Sequence, residues 1–213
     1  EIAAVEQDLP RGGFSQASQE IEQGTASQSS RTDDAQGRAG WDFEVLVSGA
    51  EESEFHGSGP DFLALENARR KWTSVATSRS DDIVIAADTV VWMEGKFFAK
   101  PRDFAHAFEM VSALVGRTHS VVTGVVLGSH SRGASEFAET ALVTFRNFSV
   151  SEIEDYLREI HPLDKAGAYA AQGEGGRIIA EIAGLRSNVI GLPIERVGEH
   201  LGWLGLRSQC RQV

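Results

Sequence analysis

The chain is poor in cysteine and in basic residues, and it has no long apolar run. Its 213 residues include one cysteine, Cys210, so no disulfide can close within one chain and no Cys/His zinc spacing exists. That usage suits a reducing compartment, and a cytoplasmic location is expected. No apolar stretch approaches the roughly 18 residues of a membrane helix, so no membrane partner is expected. The polar, acidic N-terminus shows no signal-peptide pattern. Lys and Arg number 20 against 31 Asp and Glu, a formal net charge of −11. This balance argues against duplex nucleic acid or an anionic membrane surface as partner. A polyanion would have to be held by a few local Lys and Arg side chains together with a metal ion. No internal repeat is visible.

Hydrophobic residues make up 41% of the chain, enough for the core of one domain. Residues 1–20 show weak periodicity and many turn formers, which predicts a poorly ordered tail. A domain is expected over 21–205, followed by a C-terminal tail over 206–213. Residues 41–47 (WDFEVLV) read as a strand. A helix is expected from Asp61, its candidate N-cap, to Ala76, with Phe62, Leu65, Arg69, Trp72 and Ala76 on its core stripe. Lys71 falls beside that stripe, at roughly 100° from its centre, and could reach a cleft. A strand over 83–92 and a turn at Glu94-Gly95-Lys96 predict a hairpin. Asp103 caps a helix bearing Phe104, Ala107, Phe108, Val111 and Leu114, closed by Gly116. Residues 119–128 and 137–145 read as strands. Ser149 and Glu152 have capping-box spacing before a helix over 151–160. A strand (RIIAEIAG) and a helix from Pro193 to Leu204 complete the series. Alternating strands and helices with hairpins among them give a mixed α/β sheet with flanking helices.

The most informative position is Asp88. The apolar run Ile83-Val84-Ile85-Ala86-Ala87 ends in this acid, with Lys100-Pro101 shortly after. A carboxylate at the end of a buried strand sits at the rim of a sheet, where α/β folds place ligands and catalytic groups. On position alone, a turn or helix cap explains it equally simply.

Seven segments then decide between these. ENARRK (66–71), ADTVV (87–91), KPRD (100–103), GRTHSVVTGV (116–125), ETALVTF (139–145), PLDKAGAYAAQG (162–173) and SNVIGLP (187–193) occur in this order. In them the chain resembles the Maf proteins, nucleoside triphosphate pyrophosphatases once described as septum formation inhibitors. The resemblance implies an elongated α/β fold with two lobes around a central cleft, related to inosine triphosphate pyrophosphatases, and a homodimer. One segment departs from the family pattern. Ser27, Ser29 and Arg31 match its phosphate-binding loop, but Ser30 and Thr32 stand where the family has Pro and Arg. Asp33 and Asp34 open a helix that lacks the family's apolar face.

The implied reaction is hydrolysis of a nucleoside triphosphate between the α and β phosphates. Such a substrate carries about four negative charges, so a divalent cation with oxygen ligands (Mg²⁺, Mn²⁺ or Co²⁺) is implied. The resemblance makes Asp88 the general base or a metal ligand and Glu52 a metal ligand. It makes Lys71 and Lys100 neutralisers of phosphate charge, and Ser27, Ser29 and Arg31 further phosphate contacts. Arg31, Thr89 and Gln172 match the positions that mark the branch acting on dTTP and UTP rather than on 7-methylguanosine triphosphate. Asp164 and Lys165 suit either an ion pair or support beside the phosphates. His119 reads as a structural residue at a strand start. Two functions follow as alternatives: an active dTTP/UTP pyrophosphatase, or a catalytically weakened relative that binds nucleotide and acts in cell-division control.

Overall fold

The structure is a computed structural model and describes residues 2–6, 43–53 and 58–203. It is a mixed α/β fold built on one seven-stranded sheet. Strand β1 is Ile2–Glu6, β2 is Phe43–Val47, β3 is Ile83–Met93 and β4 is Lys96–Phe97. Strand β5 is Thr118–Ser129, β6 is Gly133–Phe145 and β7 is Ile179–Ala183. The spatial order is β2-β1-β3-β5-β6-β7, with β4 hairpinned onto β3. The β2-β1-β3 portion is parallel, and everything from β3 through β7 is antiparallel. The strand at Ile2–Glu6 corrects the expectation of a tail over residues 1–20. A short apolar strand between two parallel neighbours has no alternating pattern to betray it. The rest of that segment, residues 7–20, lies outside the described residues, as does the tail expected over 206–213.

Helix α1 is Pro60–Ala76, α2 is Phe104–Leu114 and α3 is Val150–Ile160. Helix α4 is Arg186–Ile190 and α5 is Ile194–Trp203. Their termini follow the sequence closely. Asp103 accepts the backbone N–H of His106, and Ser149 with Glu152 forms a complete capping box. At the tip of the β3–β4 hairpin both Glu94 (φ 50) and Gly95 (φ 83) have positive φ, as a tight hairpin turn requires. Helix α1 starts one residue earlier than expected. Gly59 is its N-cap, Pro60 takes the first turn, and Asp61 lies inside it.

The two faces of β3 bury different things, because successive side chains alternate across a strand. Val84, Ala86 and Val90 lie under α1 with Val75, Ala76, Ala64 and Val122. Ile85 and Ala87 pack with Val125 and Leu127 of β5 under Val197 and Leu201 of α5. Val91 and Met93 join the largest core, with α2, α3 and the segment Ala168–Ala171.

The buried face of α1 also corrects an expectation. It consists of Ala64, Asn67, Ala68, Lys71, Val75 and Ala76, whereas Phe62 is half exposed. Gly124 explains why small residues face inward. A Cβ placed on Gly124 would lie 2.5 Å from Leu65 N and 2.6 Å from Ala64 O, so the helix backbone rests directly on β5. No bulky side chain fits at that distance, and Phe62 turns outward; Trp72, farther along the helix, packs against Val75, Ala76, Val84 and Ala86 and donates its Nε1 hydrogen to Val84 O at 3.1 Å, as the expected stripe had it. Phe104 of α2 is likewise 41% exposed rather than core.

Candidate functional site

Asp88 is not at a strand end. It sits in the middle of the eleven-residue β3, paired in register with Gly124 of β5, and is 3% exposed. The strand-end expectation nevertheless contained a structural fact. The parallel partner β1 reaches only Ala86, and β4 begins pairing at Trp92. Between them β3 has no strand neighbour on that side among the described residues. The carboxylate therefore lies just beyond the C-terminal end of the parallel portion, where α/β sheets place their sites.

A buried carboxylate needs partners, and α1 supplies them. Lys71 Nζ forms an ion pair with Asp88 Oδ1 and lies 3.3 Å from Glu52 Oε1. Asn67 Nδ2 donates to Asp88 Oδ2 at 3.1 Å, and Asn67 Oδ1 accepts the backbone N–H of Ser53 at 2.7 Å. Asn67 and Lys71 are four residues apart, hence on one helix face. The close seat of α1 on Gly124 brings both within reach of the carboxylate. Lys71 is thus the most buried polar group of α1, not a residue beside its core stripe. Glu52 is about half exposed, so the cluster runs from a dry end at Asp88 to a wet end at Glu52.

Lys100 belongs to the same electrostatic neighbourhood. Burial holds its ammonium below the usual lysine range and the charge of Lys71 adds to the effect, while Glu52, Asp88 and Asp164 oppose it. Asp164 is paired with Lys165 at 2.7 Å. The structure thus brings Asp88, Lys71, Glu52 and Lys100 together. Asn67 is the residue that sequence reasoning passed over. Its signal was present in ENARRK, at the helical spacing that shares a face with Lys71.

Two other candidates belong to the opposite side of the sheet. Thr89 Oγ1 lies 2.8 Å from Thr123 Oγ1 of β5, its register partner. The segment containing Gln172 packs on that same face, since Ala168, Tyr169 and Ala171 share a core with Val91 and Val121. Gln172 Nε2 is buried with no hydrogen-bond partner among the described residues. His119 is 2% exposed and bonded through Nε2 to Tyr169 Oη at 3.1 Å. Burial pushes its pKa down to about 4, which suits a neutral structural residue. Ser27, Ser29 and Arg31 lie outside the described residues.

Among the described residues no three His, Cys, Asp or Glu side chains converge as a ready metal cage. Mg²⁺ commonly uses only one or two protein carboxylates and completes its shell with phosphate and water. Asp88 and Glu52 are two carboxylates brought to one point, where both are paired with the Lys71 ammonium. No described helix is long and apolar enough to cross a membrane.

The sequence model of the Maf family, described as Maf-like protein, matches residues 25–204. The chain is 39% identical over 163 residues to the dTTP/UTP pyrophosphatase of Bacillus anthracis, covering 76% of this chain and 85% of that protein. It is 40% identical over 160 residues to the dTTP/UTP pyrophosphatase of Carboxydothermus hydrogenoformans, covering 75% and 86%. The solved Staphylococcus aureus Ham1 protein superposes with a TM-score of 0.49 at 16% identity, covering 96% of this chain and all of that one.

Proposed function

The chain belongs to the Maf-like protein family, and from that premise we propose that it hydrolyses dTTP, UTP and related pyrimidine nucleotides to the monophosphate and pyrophosphate. The observation that carries this reading is the convergence of Lys71, Asp88 and Glu52 with Lys100 in their field. In the reaction a water oxygen bonds to the α phosphorus, and the bridging bond to the β phosphate breaks. Pyrophosphate leaves with the electron pair, and the water's proton passes to Asp88. Lys71 and Lys100 neutralise the phosphate oxygens as charge shifts onto the leaving group. Asn67 holds the second carboxylate oxygen and so fixes the rotamer of the base.

Charge balance supports a cation. Lys71 and Lys100 are formally cancelled by Asp88 and Glu52, so the cluster alone offers a triphosphate no net positive charge. Arg31 supplies part of the deficit, with Ser27 and Ser29 as further phosphate contacts. Glu52 and Asp88 would hold a divalent ion, Mg²⁺, Mn²⁺ or Co²⁺, which when bound screens phosphate charge and acidifies water. Thr89 and Gln172 face the base. A cytoplasmic homodimer is the working state, checked by sedimentation of the full chain.

The altered loop is the observation that favours the second reading, a weakened nucleotide-binding relative. Thr32 stands where the family has a second Arg and Ser30 where it has Pro, and the Asp33-Asp34 pair would repel a triphosphate unless a metal intervenes. Pyrophosphate release from dTTP, UTP, CTP and 7-methyl-GTP with each metal separates the two. Release above that of Asp88→Asn supports the enzyme. No turnover above that variant for any nucleotide removes it, and orthophosphate alone refutes cleavage between α and β.

A further inference from the structure

Helix α1 presents a polar stripe to the segment Ser48–Ser53, which leads from the end of β2 to Glu52. Asn67, Lys71 and Ser74 have the helical spacing that puts them on one face. Each of them meets that segment. Asn67 Oδ1 accepts the Ser53 backbone N–H at 2.7 Å. Lys71 Nζ lies 3.3 Å from Glu52 Oε1. Ser74 Oγ lies 2.9 Å from both Ser48 O and Lys71 O, with one proton to give. Ser48 Oγ in turn accepts the Ala50 N–H at 3.2 Å. The segment is thus laid along the helix from Ser48 to Ser53, with Glu52 next to its last tie.

The tie at Asn67 reaches Asp88 as well. Asn67 is buried, and its Nδ2 donates to Asp88 Oδ2 at 3.1 Å. A carboxylate only accepts and a backbone N–H only donates, so the group between them must donate on one side and accept on the other. A primary amide does both. Leucine, of similar size, does neither. Aspartate would accept from Ser53 but set a second anion against Asp88. The Lys71 tie depends on charge, and a triphosphate competes for that charge. The Asn67 tie to Ser53 is neutral and survives the competition.

The geometry points to Asn67 as a positioning residue that holds the Ser48–Ser53 segment, and with it Glu52, against Asp88. It keeps the two carboxylates one unit when Lys71 turns to a phosphate. This inference rests on the proposed roles of Glu52 and Asp88.

The test follows hydrogen exchange of the Ser53 amide by NMR in the full chain, with pyrophosphate release from UTP scored separately. Asn67→Leu speeds Ser53 exchange about fivefold and lowers kcat/KM about tenfold. Asn67→Asp keeps the acceptor and loses the donor, so Ser53 stays protected while kcat/KM still falls. Glu52 is half in water, so Glu52→Gln leaves the fold intact and can be combined with Asn67→Leu. Because Asn67 acts partly through Glu52, the double variant loses at least about fivefold less than the product of the single losses. A purely structural role would give that product. The inference is overturned if Ser53 exchanges freely in wild type, if Asn67→Leu leaves its rate unchanged, if Asn67→Asp loses the protection, or if the two losses multiply. Should Asn67→Leu fail to melt cooperatively, the wild-type exchange rate and Asn67→Asp decide. Protection that follows the side chain without any release from UTP leaves the tether standing and removes the enzymatic reading; release with losses that multiply does the reverse.

Discussion

Removing the Lys71 charge is the sharpest perturbation, because it separates what holds the cluster together from what it does. In Lys71→Met the unbranched thioether fills much the same space as the lysine stem. Space is therefore conserved and charge is lost. The side chains of Lys71 and Asp88 are 2% and 3% exposed. Stripping one partner from a buried pair costs about 3–5 kcal/mol, since the other charge is stranded in a medium that solvates it poorly. Two features set where in that range the loss falls. The Asn67 hydrogen bond survives, and a bond to a charged acceptor is worth about 1.5–3 kcal/mol. The lost Lys71–Glu52 contact adds less than ~1 kcal/mol, because Glu52 is half in water. The expected loss is therefore at the lower end, about 3 kcal/mol by the same scale. Urea denaturation followed by tryptophan fluorescence measures it. The reasoning makes a second demand. In Lys71→Met/Asp88→Asn the stranded charge is gone and Asn67 still has a partner, so the double variant recovers most of the loss. The cycle should give a coupling of about 2–3 kcal/mol. Wild-type stability in Lys71→Met, or a double variant no more stable than that single variant, would refute the account of Asp88 as a buried anion held by Lys71.

Two further outcomes follow from the packing. Gly124→Ala drives a methyl group into the backbone of α1 at Ala64 and Leu65, where no side chain can swing aside. It costs about 1–3 kcal/mol in urea denaturation, and pyrophosphate release falls with it because Asn67 and Lys71 ride on the displaced helix. His119 gives a pH signature. Its pKa is about 4 when folded against about 6.5 when unfolded, so the unfolded chain binds the proton more readily. Its contribution is fully present above about pH 6.5 and is lost as pH falls toward about 4, up to roughly 3 kcal/mol in total. Comparing wild type with His119→Gln in urea between pH 7 and pH 5 isolates that slope from the carboxylates. Equal slopes in the two proteins would show that His119 is not buried as a neutral ring.

The sequence disclosed the fold where local chemistry sets it. The Asp103 cap, the Ser149–Glu152 box and the Glu94-Gly95 turn depend on near neighbours in the chain, and each is found where its spacing places it. What it concealed depends on tertiary contact. The inward face of α1 looked aromatic because Phe62, Leu65 and Trp72 have helical spacing. Trp72 and Ala76 do pack inward, but around Ala64 and Leu65 the face was decided by Gly124, far along the chain, which holds the helix backbone against β5 and leaves Phe62 outside. Strand β1 was hidden because Ile2–Glu6 needs neighbours on both edges to be a strand at all. Asp88 was singled out for a local reason that the structure corrects. The apolar run continues past it, and the end that matters belongs to β1. Asn67 was missed because a helix amide has no chemistry of its own until a carboxylate is placed against it.

Placing Asp88 and Thr89 side by side in one strand has a functional consequence. Alternation sends the carboxylate toward α1 and the hydroxyl toward α4, with the sheet between them. Their register partners, Gly124 and Thr123, repeat the division on β5. Under the roles proposed for Asp88 and Thr89, hydrolysis and base choice rest on separate packing contacts, although the two residues are covalent neighbours. Changes on the α1 side, such as Gly124→Ala, should lower turnover of UTP and CTP in equal proportion. Changes at Thr89 should alter their ratio. Combining one of each should then give multiplied effects, as independent sites do. A combined variant far from that product would mean that the phosphate and base subsites move together, through β3 itself.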